Sequence, residues 1–84
     1  MKVELSRSGG FFASIKKASI DVDWSDEDAE QILSAMQEQA DEKKRDAIHY
    51  TLSLQGKTAL INLNKVPKRY QDVFDYLQKN LKNV

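Results

Sequence analysis

The feature that most constrains this chain is a run of alternating apolar residues from Ile48 to Leu63, interrupted at Gln55-Gly56. Alternation on both sides of that interruption is the period of two strands that each bury one face. With Gln55-Gly56 as a two-residue loop, antiparallel pairing sets Leu54 opposite Lys57, Leu52 opposite Ala59, Tyr50 opposite Ile61, and Ile48 opposite Leu63. A shift of one residue would expose the apolar set of one strand. We therefore predict a β-hairpin in this register, with Gly56 at positive φ in a tight primed turn.

Length and composition bound the rest of the chain. Its 84 residues suffice for one domain with one compact core. The sequence has no cysteine, which excludes disulfides, thiolate zinc sites and cysteine nucleophiles. Thirteen basic residues balance thirteen acidic ones, a balance that disfavours duplex DNA and anionic membranes as partners. Without a signal-peptide pattern or a bilayer-spanning run, we expect a single cytoplasmic domain, residues 1–84, that binds neither nucleic acid nor membrane.

Two further strands are predicted near the N-terminus. Residues 2–6 alternate with one apolar face, and Ser8-Gly9-Gly10 then favours a hairpin turn. The second strand starts at Phe11, but its apolar residues fall in two phases. One phase contains Phe11, Ala13 and Ile15, and the other contains Ala18, Ile20 and Val22. We predict that a bulge or bend near Lys16-Lys17 reconciles them.

Two helices follow from capping residues and apolar stripes. Ser25 is placed to cap a helix whose first turn carries Asp26, Glu27 and Asp28, where the helix dipole favours negative charge. Its stripe is Ala29, Ile32, Leu33, Met36 and Ala40, so we expect the helix to end near Gln39 or Ala40. The charged residues 41–46 are expected to form an exposed connection.

The second helix is predicted to open at Val66-Pro67, with Pro67 in its first turn. Lys79 and Lys82 are expected in its last turns, where the dipole favours cations. Its apolar stripe is Tyr70, Val73, Phe74, Leu77 and Leu81.

These elements, in the order ββαββα, predict an α+β fold. The economical arrangement is a two-layer sandwich, a four-stranded antiparallel sheet with both helices on one face. The other sheet face would be mostly polar and would face water. It would carry His49, Thr51, Ser53, Thr58, Leu60 and Asn62.

No residue pattern in the chain indicates catalysis. His49 is the single histidine, and Ser53 on the same strand face is about 13 Å away at the usual strand rise, too far for direct activation. The acidic run at 21–30 lacks the glycine and the final glutamate of an EF-hand loop, and helix capping explains most of it. The glycine pair lacks phosphate-loop spacing. We expect a non-enzymatic protein with no cofactor and no bound metal.

The segment VELSRSGGF at residues 3–11 resembles the emfourin family, small protein inhibitors of protealysin, a thermolysin-like zinc metalloprotease. The tyrosine-bearing strand at 50–52, the proline at 67 and the segment VFDYL at 73–77 are similar to later parts of that family. After the motif the family usually has alanine-glycine, whereas this chain has Phe12-Ala13-Ser14. The resemblance implies an inhibitor of a thermolysin-like metalloprotease that acts by occupying the active-site cleft.

The resemblance also implies a contact region at the first hairpin end. Its candidate protease-contact residues are Arg7, Ser8, Gly9, Gly10, Phe11 and Phe12. Phe12 would anchor in an apolar pocket if Phe11 points inward, whereas in the competing interpretation the motif only forms the turn and seats Phe11 in the core. We expect the inhibitor to be a monomer.

Two other functions stay open at this stage. One is an interaction module with a different target, which would use an exposed edge strand or the Tyr76 side of the last helix. The other is a weak binder of single-stranded nucleic acid that uses Phe12, Lys16 and Lys17.

Overall fold

Five strands and two helices succeed one another in the computed structural model, which describes residues 1–9, 15–38 and 49–83. The strands are β1 (Lys2–Ser8), β2 (Lys16–Asp21), β3 (His49–Leu54), β4 (Lys57–Ile61) and β5 (Lys82–Asn83), and the helices are α1 (Asp26–Met36) and α2 (Gln71–Lys79). Short 3₁₀ turns at Leu63–Lys65 and Lys68–Tyr70 connect β4 to α2. The predicted α+β class is confirmed.

The strands form one antiparallel sheet in the order β4-β3-β1-β2-β5. β1 therefore lies in the middle, paired with β3 on one side and β2 on the other. The prediction of four strands was one strand short. The additional strand is β5, in which Lys82 and Asn83 pair with Lys17 and Lys16 at the edge of the sheet. For the same reason Lys82 lies in β5 and not in the last turn of a helix.

The central hairpin has the predicted register. Leu54 lies opposite Lys57, Leu52 opposite Ala59 and Tyr50 opposite Ile61. Gly56 has a φ of 74° and Gln55 a φ of 51°, and two positive values in succession are typical of the primed turns that suit a twisted hairpin. The predicted pair of Ile48 and Leu63 is not part of this ladder, since Leu63 lies in a 3₁₀ turn and Ile48 lies outside the described residues.

One apolar core joins the sheet to the two helices. Val3 and Leu5 of β1 lie opposite Leu54 and Leu52 of β3, and all four are buried. α1 contributes buried side chains at the predicted stripe positions, and so does the second helical segment. The buried residues are Val3, Leu5, Ala18, Ala29, Ile32, Met36, Leu52, Leu54, Ile61, Tyr70, Phe74 and Leu77.

The second sheet face carries the polar side chains predicted for it. Thr51 and Ser53 of β3 are half-exposed, and Thr58 of β4 is exposed. Ser53 lies opposite Glu4 of β1 on one side and Thr58 on the other. The alternation of the sequence therefore separates a buried face from a polar one.

α1 ends at Met36, earlier than predicted, because the backbone that follows pairs with β4. Gln37 is extended and forms a bridge to Ile61. The Glu38 amide donates to the Leu60 carbonyl at 2.8 Å, and the Asn62 amide donates to the Met36 carbonyl at 2.9 Å. These bonds replace the intrahelical bonds that would be needed if α1 ended at Gln39 or Ala40. Both of those residues lie outside the described residues.

The prediction was a bulge or bend near Lys16-Lys17, and the bulge is wrong, because β2 has none at these two residues. Its ladder with β1 runs without interruption from Arg7 opposite Lys16 to Lys2 opposite Asp21. Ile15 precedes the strand and is 49% exposed, so only the Ala18 phase has to be buried within it. Phe11 and Ala13 lie outside the described residues.

Pro67 lies before the second helix rather than in its first turn. Its φ of −62° and ψ of 144° are extended, and its carbonyl accepts from the Tyr70 amide at 3.0 Å in the 3₁₀ turn that leads into α2. The turn places Tyr70 in the core before the α-helix starts at Gln71.

Phe74→Ala is expected to lower the free energy of unfolding by about 2–5 kcal/mol, because it removes a fully buried ring from the shared core. Denaturant unfolding measures this difference. The matched control is Tyr76→Ala on the same helix, whose ring is 47% exposed and whose removal should cost much less. Equal losses from the two variants would contradict the assignment of Phe74 to the core.

Gly56→Ala is expected to lower the free energy of unfolding by about 1–2 kcal/mol, although no atom lies within 4 Å of the added Cβ. The cost is conformational, since the φ of 74° is unfavourable for a residue with a Cβ. Thermal and denaturant melts measure it. Lys57→Ala, one residue along and exposed, is the control, and a Gly56 variant as stable as that control would contradict the turn geometry.

Candidate functional site

The residues predicted to contact a protease begin at the C-terminal end of β1, the middle strand of the sheet. Arg7 lies opposite Lys16 of β2 and Tyr50 of β3, while Ser8 lies opposite His49 of β3. Gly9 follows directly, with a φ of 100° that suits glycine. The chain thus leaves the sheet from its most extensively paired strand.

The sheet sends the side chains of this region to two different faces. Arg7 shares the phase of the buried residues Val3 and Leu5, so it lies on the helix side of the sheet next to Tyr50. Ser8 lies on the polar face with His49. The structure therefore brings Arg7, Ser8 and Gly9 to one end of the sheet but does not give Arg7 and Ser8 a common face.

The other three predicted contact residues, Gly10, Phe11 and Phe12, lie outside the described residues. The next residue that the structure describes is Ile15, an exposed apolar residue directly before β2. The sequence prediction assigned Ile15 to a buried phase with Phe11. Its exposure adds an apolar side chain at the base of the hairpin.

His49 faces a partner that sequence reasoning missed. Ser8 lies directly opposite it across the β1–β3 ladder, whereas the sequence prediction considered only Ser53 on the same strand. No hydrogen bond joins the side chains of Ser8 and His49, both of which lie within the described ranges. His49 also borders an open cleft of about 450 Å³ lined by polar side chains such as Glu38 and Asn62. The pairing depends on the register of β1 against β3, which nothing in the local sequence specifies.

Asp28 is the acidic side chain with the most extensive bonding in the described structure. Its carboxylate accepts from the Ser25 backbone amide at 3.0 Å, and its own amide donates to the Ser25 hydroxyl at 3.2 Å, a reciprocal capping box. The Tyr70 hydroxyl donates to the same carboxylate at 2.7 Å, and the Arg69 guanidinium lies 3.9 Å away. Asp28 therefore ties the start of α1 to the turn before α2.

These contacts shift two pKa values. The hydrogen bond from the Ser25 amide, with that from Tyr70, lowers the pKa of Asp28 below 3.8, because both donors favour the ionised carboxylate. The hydrogen bond from the Tyr70 hydroxyl to Asp28 raises the pKa of Tyr70 above 10.0, because it favours the protonated phenol that donates it. Trp24 packs edge-on against the Tyr70 ring at 5.2 Å between centroids, which holds the phenol in place. The shifts therefore accompany a junction between two helices.

The remaining acidic residues at the start of α1 have separate roles. Asp26 accepts a hydrogen bond from the Gln55 side chain in the turn of the central hairpin. Across residues 1–9, 15–38 and 49–83, no group of three or more His, Asp or Glu side chains is arranged to hold a metal ion.

Lys16 and Lys17, considered above as part of a nucleic-acid surface, project to opposite faces of β2. Lys16 shares its phase with buried Ala18, and Lys17 lies opposite Ser6 of the polar face. Lys17 is instead a neighbour of Lys82 in β5. The strand geometry thus separates the two cations that this interpretation placed together.

Among the described helices, none is both long enough and apolar enough to cross a membrane. The sequence matches no protein-family model, and no curated protein or solved structure shows significant similarity to the chain.

Asp28→Asn is expected to destabilise the protein at neutral pH. A lowered pKa means that the folded state prefers the ionised carboxylate, so the stabilisation is present above the unfolded pKa and is lost as pH falls through the folded pKa. The stability gap between wild type and variant should therefore be largest at about pH 7 and should shrink progressively as the pH falls below 3.8, as measured by denaturant unfolding over a pH series.

Glu30→Gln on the exposed side of α1 is the matched control and should show no such gap. A pH-independent gap for Asp28→Asn would show that the amide changes packing and not the charge-dependent cap.

Proposed function

We propose that this protein is a non-enzymatic inhibitor of a thermolysin-like zinc metalloprotease of the protealysin type. The end of the hairpin between β1 and β2, residues Arg7 to Phe12, enters the active-site cleft and blocks it. The observation that carries the proposal is the motif Arg-Ser-Gly-Gly-Phe at residues 7–11, which resembles the emfourin family and begins at the end of the middle strand.

Strand pairing at the base of the hairpin favours insertion of the hairpin end into a cleft. Arg7 and Ser8 belong to a strand that is paired along both edges, up to Lys16 on one side and His49 on the other. A segment that is already ordered loses less conformational entropy when it enters a cleft. The base of the hairpin is therefore a suitable platform for an inserted loop.

Charge at the hairpin base also supports the proposal. Arg7 and Lys16 are direct cross-strand neighbours on one face, so two cations lie where the loop begins. Zinc proteases with the HExxH motif hold a glutamate general base beside a zinc dication, so the cations at the hairpin base would pair with carboxylates at the rim of the cleft, away from the metal. Phe12, next in the chain after the motif, is the proposed anchor for an apolar substrate pocket.

The proposed inhibitor acts as a monomer in the cytoplasm and needs no cofactor. A chain without cysteine depends on packing for its stability, and the single core described above supplies that packing. A protein that is already folded can bind a protease without having to fold on the protease surface.

The test is a titration of the purified protein against a protealysin-type protease, with cleavage of a peptide substrate as the readout. We expect stoichiometric loss of protease activity while the inhibitor itself stays intact on a gel. Retention of full protease activity at a large molar excess would reject the proposed function.

Two substitutions locate the contact. Phe12→Ala should raise the inhibition constant about thirtyfold, the effect of losing an anchor of ~2 kcal/mol, and Arg7→Glu should weaken inhibition through charge reversal. Lys57→Glu is the matched control, because Lys57 lies beside the hairpin turn at the opposite end of the sheet. If both hairpin variants fold and inhibit like wild type, the hairpin end is not the contact surface.

A further inference from the structure

A described strand pairs with the outer edge of β2 at only two of its six residues. β5 pairs with Lys16 and Lys17, and no other described strand pairs with this edge. Met1 and Val22 exchange two backbone hydrogen bonds of 2.8 Å, which identifies Val22 as facing β1. Since hydrogen-bonding direction alternates along a strand, the backbone groups of Ser19 and Asp21 point away from β1. Both residues are exposed.

A groove of about 280 Å³ runs along this edge. Ala18 and Ser19 of β2, whose side chains lie on opposite faces of the sheet, both line it, so the groove borders the strand edge itself. Tyr76 of α2 and Asn80, the residue directly after α2, form its other wall. Tyr76 is 47% exposed, which makes it one of the two large exposed apolar side chains among the described residues.

The two ends of the groove differ in charge. Lys17 and Lys82 lie at the end where β5 already pairs. Further along, Glu4 of β1, directly opposite Ser19, also lines the groove, and exposed Asp21 lies two residues beyond Ser19 with Lys2 opposite it. The free part of the edge therefore has two carboxylates beside it, Glu4 and Asp21, and one cation, Lys2.

We propose that this edge binds an extended segment of a partner protein as an added strand. The backbone of that segment pairs with Ser19 and Asp21, one of its side chains is basic and lies beside Asp21, and the next packs against Tyr76. Alternation of side chains along a strand sends these two neighbours to the two faces that Asp21 and Tyr76 occupy. β5 demonstrates that this edge accepts a strand, and strand addition to an open edge is a common mode of peptide recognition.

A second copy of this chain does not fit the same edge. Symmetric antiparallel pairing about Ile20 would place the partner's Asp23 beside Lys17, where β5 already lies. Pairing about Asp21 would set Asp21 against its own copy, and like charges directly opposite are destabilising. The edge therefore favours a basic segment from a different protein.

The experiment uses the whole chain and two capped octapeptides, one alternating lysine and valine and the other glutamate and valine. We expect the lysine peptide to bind saturably, with NMR shifts at Ser19, Asp21 and Tyr76 and slowed amide exchange at Ser19 and Asp21. The glutamate peptide should bind at least about tenfold more weakly, because its carboxylates meet Glu4 and Asp21 beside the free edge. No protease is present, so the result is independent of the proposed inhibition.

Proline substitutions at the two sheet edges make a matched pair. Ser19→Pro removes an amide that faces away from β1, so it should leave the fold intact and weaken the lysine peptide about tenfold or more. Thr58→Pro in β4 is the control: its amide also faces outward, as the bonds of Leu60 and Asn62 to the segment after α1 indicate. Asp21→Lys should reverse the preference between the two peptides.

Three results would overturn the proposal. One is equal binding of the two peptides, and another is shifts that map to β4 or to the helix surface instead of β2. The third is a concentration-dependent dimer that Ser19→Pro abolishes, which would assign the edge to a second copy of the chain. Thermal melts of each variant confirm that altered binding does not come from unfolding.

Discussion

Burial of Val3 and Leu5 on the middle strand is the constraint on which the rest of the structure depends. Both side chains are fully buried, and both lie opposite apolar partners in β3 and β2. Through β1 the central hairpin and the N-terminal hairpin share one sheet face, and only that shared face is wide enough for two helices. The described residues form one core, to which β1 to β4 and both helices contribute buried side chains.

A polar junction joins the two helices above this core. Asp28 caps α1 and accepts from Tyr70, whose ring is buried and packed against Trp24, and Trp24 in turn stacks on Phe74 at 6.5 Å. The junction uses one carboxylate for a local task, the helix cap, and for a long-range one, the bond to Tyr70. This dual use explains why the pKa shifts of the described residues occur here, away from the hairpin end and from the β2 edge.

The two proposed binding regions differ in backbone pairing: Arg7 and Ser8 at the base of the hairpin are paired, whereas the described strands pair with the outer edge of β2 only at Lys16 and Lys17. Within residues 1–9, 15–38 and 49–83, the segment after α1 bonds to one end of β4, and β5 covers one end of β2. Short covering segments of this kind limit uncontrolled pairing between sheets while they leave a defined stretch available. Arg7 and Ser8 pair with Lys16 and His49, whereas the free part of the β2 edge begins beyond Lys17, so the two proposals can be tested separately.

Local patterning was sufficient for the central hairpin register, the Ser25 cap and the apolar helix stripes, because each depends on residues a few positions apart. The end of α1, the extra strand β5, the unbulged β2 and the Ser8–His49 pair depended on which backbones pair across the sheet. Those pairings join residues distant in sequence and carry no local pattern. The candidate site divides in the same way: its motif is visible in the sequence, and alternation along β1 puts Arg7 and Ser8 on opposite faces because the strand extends to Ser8. The exposed edge of β2, in contrast, follows from strand order.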